Sequence, residues 1–130
     1  VSVPAGRRIL FIDDDIFLEK IVRFNLKDEG YIFTASPNGE DAVKKLESDA
    51  QDLIILDLIM PRMDGWKFLD WLNNSANLNR IPVLVLTASR TGREEIAEKY
   101  QRCTIVDVLE KPFDLRDLVT LITRIFSEHP

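Results

Sequence analysis

Only one cysteine, Cys103, occurs in the chain, so no internal disulfide can close. Only one histidine is present, His129, next to the C-terminal residue. With no second histidine or cysteine near it in sequence, a zinc site is not expected and His129 reads as a free surface side chain. No apolar run approaches the ~20 residues that a membrane span needs. Val1 to Arg8 lack the apolar segment of a secretory leader. Basic residues are the minority charge, 17 Lys and Arg against 22 Asp and Glu, for a net charge of −5. That balance argues against nucleic-acid binding, which needs clustered cations to neutralise phosphates. Internal repeats and low-complexity segments are also missing. A lone thiol without a leader fits the reducing cytoplasm, and contact with a membrane is not expected.

What is present suits one globular domain. A chain of 130 residues buries roughly two-thirds of its unfolded surface, enough to fold without a disulfide or a metal. The expected organisation is a flexible lead-in over 1–6, a folded unit over 7–127 and a tail over 128–130.

Leu53-Ile54-Ile55-Leu56 runs unbroken into Asp57, and the chain then turns at Pro61 and Gly65. Such an aliphatic run, bounded by turn residues, predicts a strand covered on both faces, as in a parallel sheet between helices. Arg8 to Ile12 predicts a second buried strand, which ends in Asp13-Asp14-Asp15. Helical spacing follows in Phe17, Leu18, Ile21, Val22 and Leu26, with Gly30 as a left-handed stop. Tyr31 to Ala35 is strand-like, Pro37-Asn38-Gly39 a turn, and Glu40 to Ser48 a helix with Ala42, Val43 and Leu46 on its apolar face. Trp66, Phe68, Leu69 and Leu72 mark a third helix that frays at Asn73-Asn74-Ser75. Ile81 to Leu86 is a fourth strand, Arg93 to Arg102 a polar helix and Thr104 to Leu109 a fifth strand. Asp114 caps a last helix whose apolar face is Leu115, Leu118, Val119, Ile122, Ile125 and Phe126.

Strands alternating with helices predict the α/β class: a doubly wound, five-stranded parallel sheet. With strand order 2-1-3-4-5, strands one and three flank the switch point, where ligands bind at the carboxyl ends of the strands. Asp13 and Asp14 would then lie beside Asp57, with Thr87 and Lys111 on neighbouring strand ends. Like charges ~4 Å apart at an effective dielectric of ~20 repel by about 4 kcal/mol. A cation or a proton must neutralise such a cluster, and a few hard oxygen ligands suit Mg²⁺. A carboxylate so placed can attack phosphorus, with Lys111 and the Thr87 hydroxyl serving phosphoryl oxygens. Taken singly, the acids could be helix caps, Thr87 ordinary strand composition and Lys111-Pro112-Phe113 an ordinary turn.

Phe11-Ile12-Asp13-Asp14-Asp15, Asp57-Leu58-Ile59-Met60-Pro61-Arg62-Met63-Asp64-Gly65, Thr87-Ala88 and Lys111-Pro112-Phe113 together resemble the receiver domains of two-component response regulators, the CheY-like proteins. The resemblance runs from about Arg7 to Phe126 and implies a flavodoxin-like three-layer fold. It implies that Asp57 is the phosphoacceptor, charged from a histidine kinase or a phosphotransfer protein. It implies that Asp14, Asp57 and the Ile59 carbonyl ligate Mg²⁺, with Asp13 holding a metal-bound water. It further implies that Thr87 moves toward the phosphoryl group, that Ala88 leaves space there and that the Lys111–Pro112 bond is cis. The domain would be no enzyme beyond catalysing its own phosphotransfer and dephosphorylation. Its output would be a shift of the surface formed by helix 4, strand 5 and helix 5, read by an effector domain or output protein.

Three features bear on that reading. Val108 occupies a position where family members usually carry Tyr or Phe, so the aromatic half of the switch is in doubt. Thr104-Ile105 stands where Gly-Ala is frequent. Ile59 and Ser89, each two residues beyond Asp57 and Thr87, occupy positions that tune access of hydrolytic water. Competing readings are a phosphate-independent binding module of the same fold, a phosphohydrolase of the haloacid dehalogenase type and a flavodoxin-type carrier. The second would need Asp-x-Asp at the nucleophile, where Leu58 and Ile59 follow Asp57; the third would need a phosphate loop that the acidic triplet opposes. With no effector domain in the sequence, the chain would be a stand-alone receiver or one excised from a longer protein.

Overall fold

The computed structural model describes residues 6–60, 62–88 and 90–130. The expected lead-in up to residue 5, the turn residue Pro61 and the water-access position Ser89 lie outside the described residues. The elements run β1 (Arg8–Ile12), α1 (Ile16–Asp28), β2 (Ile32–Ser36), α2 (Gly39–Ser48), β3 (Leu53–Asp57), α3 (Gly65–Asn73), a 3-10 turn (Leu78–Arg80), β4 (Pro82–Thr87), α4 (Arg93–Lys99), β5 (Thr104–Glu110) and α5 (Leu115–Glu128). The strands form one parallel sheet in the order β2-β1-β3-β4-β5.

Alternate residues of a strand face opposite ways, and both faces of this sheet are covered. Leu10, Ile12, Ile54, Leu56, Val83 and Val85 pack with Ala42, Leu46, Phe68, Leu69, Leu72 and Ile96 of α2, α3 and α4. Ile9, Phe11, Leu53, Ile55, Leu84 and Leu86 pack with Val22, Leu26, Leu118, Ile122, Ile125 and Phe126 of α1 and α5. That division explains why the central strands are apolar without alternation. It also seats their polar carboxyl ends at one edge, where the loops begin.

Most loops at that edge end in a carboxylate or amide cap; the loop after β4 ends at Gly92, which offers none. Asp15 accepts from the Leu18 N–H at 3.0 Å, Asn38 from Asp41 at 2.9 Å and Asp64 from Lys67 at 3.0 Å. Asp15→Ala is expected to lower stability by about 1 kcal/mol, read as a lower urea midpoint at unchanged slope.

Three expectations need correction. Phe17 and Ile21 do not belong to the buried face of α1; they are 81% and 49% exposed. Only one stripe of this helix meets the sheet, through Val22 and Leu26, and neighbouring positions lie about 100° away around the axis. α4 ends at Lys99, three residues before Arg102, because Tyr100 turns inward. Its ring lies over Trp66 with centroids 6.3 Å apart, and its hydroxyl donates to the Trp66 carbonyl. Glycine 39 is the first residue of α2 rather than part of a free turn. It approaches so closely that a Cβ there would sit 2.5 Å from the Met63 carbonyl oxygen.

The Thr104-Ile105 departure has a structural counterpart. Val83 pairs with Ile105 and Leu84 with Asp107, so Val106 is an extra residue, a β-bulge. The bulge lets Ile105 and Val108 pack on the α3 and α4 side while Val106 and Leu109 pack toward α5. It also turns Asp107 to a 2.8 Å ion pair with Arg124 of α5.

Candidate functional site

Strand register builds the site. Ile12 pairs with Leu56, so the next residue of each chain, Asp13 and Asp57, emerge side by side. Asp57 pairs with Leu86 and Thr87 with Glu110, which brings Thr87 and then Lys111 to the same edge. The Lys111 N–H donates to the Thr87 carbonyl at 2.8 Å, and the Lys111–Pro112 bond is cis. Asp13 and Asp57 are buried, 4% and 5% exposed, as is Thr87 at 1%, while Asp14 faces solvent. One carboxylate oxygen from each of Asp13, Asp14 and Asp57 lies within 4.8 Å of the others.

The only cation in contact with the two buried acids among the described residues is Lys111. Its Nζ donates to Asp13 Oδ2 at 2.8 Å and lies 3.5 Å from Asp57 Oδ2. Asp57 Oδ1 accepts from the Ile59 N–H at 3.3 Å, and Asp13 Oδ1 from the Asp15 N–H at 3.0 Å. These contacts do not fully offset burial. Desolvation, then the Asp13 charge, raise the Asp57 carboxyl to about 6 against the pull of Lys111 and the Ile59 N–H. For Lys111, burial acts downward, yet the hydrogen bond to Asp13 and the two carboxylate charges outweigh it and raise its pKa.

The loop after β3 is shaped around Asp57. Leu58 donates to the Leu86 carbonyl and accepts from the Gly65 N–H at 2.9 Å. A Cβ on Gly65 would fall 2.4 Å from the Asp57 carbonyl oxygen and 2.5 Å from Leu58 Cα, so only glycine fits under the loop. Arg62 takes a left-handed φ of 60° on the way. Met60 is buried, and Ile59 is 66% exposed at the mouth.

Asp13, Asp14, Asp57, Thr87 and Lys111 are therefore gathered at one end of the sheet, with Ile59 on the rim. Sequence reasoning treated Gly65 only as a turn residue and missed it as the floor beneath Asp57. The sole local sign was the Asp-Gly pair, which turns of many kinds share. Val108 is half-buried against the α3 and α4 side of the core.

The donor set suits a hard divalent cation. It is all oxygen, it carries more negative charge than Lys111 balances, and Asp14 leaves the cluster open to water. Chemically, the arrangement places a carboxylate beside such an ion, a lysine and a strand-end threonine.

Comparison with known proteins gives the same picture. The family model described as "Response regulator receiver domain" matches residues 9–123. An uncharacterised 14.6 kDa protein of Leptolyngbya boryana is 35% identical over 118 residues, covering 91% of this chain and 88% of that one. The transcriptional regulatory protein PcoR of Escherichia coli is 34% identical over 126 residues, covering 94% of this chain and 54% of PcoR, so the chain spans about half the length of that relative. The structure of the chemotaxis protein CheY4 of Vibrio cholerae superposes with a TM-score of 0.80 at 28% identity, covering 92% of this chain and 98% of that one.

Proposed function

This chain belongs to the response regulator receiver domain family of two-component systems, and from that premise we propose that Asp57 is its phosphoacceptor within a receiver unit spanning 7–127. The observation that carries the proposal is the buried Asp57 at the end of β3, level with Asp13 and 3.5 Å from Lys111. The donor is a phosphohistidine of a histidine kinase or a phosphotransfer protein. An Asp57 oxygen attacks the phosphorus, the phosphorus–nitrogen bond breaks, and the imidazole leaves with its electron pair and takes up a proton. Lys111, already between Asp13 and Asp57, shifts toward a phosphoryl oxygen. The Thr87 hydroxyl serves another. Asp13, Asp14, Asp57 and the Ile59 carbonyl would hold Mg²⁺, which when bound supplies neutralisation of the charge between the attacking and phosphoryl oxygens.

The new charge moves Lys111 and Thr87, and with them the loops after β4 and β5. The output is a population shift of the α4–β5–α5 face toward an effector domain or output protein. Val108 removes the aromatic ring from that path, so movement is transmitted through the backbone hydrogen bond between Lys111 and Thr87. On the donor side, Ile16, Phe17 and Phe24 form an exposed apolar stripe on α1, and Ile16 begins that helix beside the Asp14 loop. A surface of that kind suits a protein partner. No helix among the described residues is long and apolar enough to cross a membrane.

The test is intact mass after incubation with acetyl phosphate. A single phosphoryl adduct is expected in the parent, with none when Mg²⁺ is withheld or in Asp57→Asn. An adduct that persists in Asp57→Asn would overturn the assignment. The exposed Ile59 carries a second expectation, since its side chain excludes the water that attacks the phosphoaspartate. Ile59→Asn is expected to shorten the lifetime of the adduct several-fold. An unchanged lifetime, measured by timed mass spectra, would remove Ile59 from that role.

A further inference from the structure

A cavity of about 400 Å³, wide open to solvent, lies at the other end of the sheet, lined by Arg7, Gln51, Asp52, Asn77, Arg80 and His129 among others. All but His129, which follows α5, come shortly before β1, β3 or β4 in the chain. Six residues of extended chain separate Gln51 from Asp57, about 20 Å at strand rise, so the cavity is distinct from the acidic site.

Three features set this cavity apart. Gln51 is 6% exposed, and neither atom of its side-chain amide has a hydrogen-bond partner. Buried polar groups are nearly always paired, because each one left unpaired costs about 1–3 kcal/mol. Two guanidiniums are held without a carboxylate. Arg7 lies over the Phe126 ring, 4.7 Å from its centroid, and its polar contacts are two long ones of 3.4 Å to the His129 carbonyl. Arg80 is exposed and has no side-chain hydrogen bond or ion pair among the described residues. The wall also holds an acid, Asp52, whose Oδ2 accepts the Arg8 N–H at 2.8 Å. Finally, Asn77 holds φ 74° and ψ −46°, a strained conformation for a residue other than glycine. Its carbonyl accepts the Arg80 N–H, so the strained residue sets the turn that presents Arg80.

We propose that this cavity is a second binding site, for a small dicarboxylate that bears a hydroxyl group. Planar guanidinium forks match carboxylates, and two forks match two of them. The Gln51 amide both donates and accepts, as a hydroxyl does. It is closed into the wall in the empty cavity. Rotation of its side chain toward a ligand exchanges an unpaired amide for a paired one, which gives binding a favourable component that a merely cationic surface lacks. A trapped water would satisfy Gln51 but would leave the two guanidiniums unmatched. The volume lies within the range of small-molecule sites.

The test is titration of the whole ¹⁵N-labelled chain with L-malate and with succinate at constant ionic strength. Saturable shifts are expected at the Gln51 side-chain amide and at Arg80, with malate the tighter ligand. Arg80→Ala, a change at an exposed side chain without partners, is expected to weaken both ligands by about tenfold or more. Gln51→Leu should erase the preference for malate over succinate, and Asp57→Asn should bind as the parent does. The proposal is overturned if shifts fail to saturate at millimolar ligand, if Arg80→Ala binds like the parent, or if the responding residues are Asp13, Asp14 and Lys111.

Discussion

Asp57→Asn is expected to stabilise the metal-free protein at neutral pH, by up to about 3 kcal/mol. The carboxyl it replaces is buried beside Asp13 and raised to about 6 from an ordinary value of 3.8. Between those values the folded protein holds a proton that the unfolded chain has released. Stability from this group therefore falls as pH rises from about 4 to about 6, and stays at its lower level above that. Asparagine keeps the shape and removes the ionisation. Urea midpoints of parent and variant should nearly coincide near pH 4 and separate above pH 6, with the variant higher. Mg²⁺ should close most of the gap. Held as proposed, by the folded parent alone, it adds about 2.7 kcal/mol at 100-fold over its dissociation constant. The variant, lacking one of the proposed ligands, gains far less. A parent that is the more stable of the two at neutral pH without Mg²⁺ would show that Lys111 balances the acids more completely than the geometry indicates.

Gly65→Ala is expected to cost about 3 kcal/mol or more and to slow phosphorylation at the same time. Its Cβ would meet the Asp57 carbonyl and Leu58 Cα at 2.4 and 2.5 Å. Both are backbone atoms, and β3 is fully buried between β1 and β4, so neither can withdraw without moving Asp57. Gly92 supplies the control. A Cβ there meets nothing within 4 Å and its φ is −85°, so Gly92→Ala should change stability by no more than about 0.5 kcal/mol. A Gly65→Ala variant with parental stability and parental phosphorylation would mean that the loop after β3 yields more easily than its hydrogen bonds suggest.

Much of this was legible in one sequence. Leu53 to Leu56 announced a strand buried on both faces because no side of it offers a polar residue. Asp13, Asp14, Asp57, Thr87 and Lys111 stood at strand ends, and parallel strands place such ends together. Helix α1 was less legible. Phe17, Leu18, Ile21, Val22 and Leu26 share helical spacing, but spacing cannot say how wide a stripe the sheet will cover. The structure covers Val22 and Leu26 and leaves Phe17 exposed. The end of α4 was missed for a related reason. Nothing near Tyr100 in sequence shows that Trp66, thirty-four residues earlier, receives its ring and hydroxyl.

The sequence by itself determined the alternation of strand and helix, the parallel sheet and the residues of the acidic site. Those follow from local periodicity and from where turns interrupt it, which are properties of neighbours along the chain. Only the tertiary structure decided that Lys111 pairs with Asp13 more closely than with Asp57, and that Gly65 lies beneath Asp57. It alone revealed the bulge at Val106 and gathered Arg7, Gln51 and Arg80 around one cavity. These depend on distances of a few ångströms between residues remote in sequence, and such distances are set by how the elements pack.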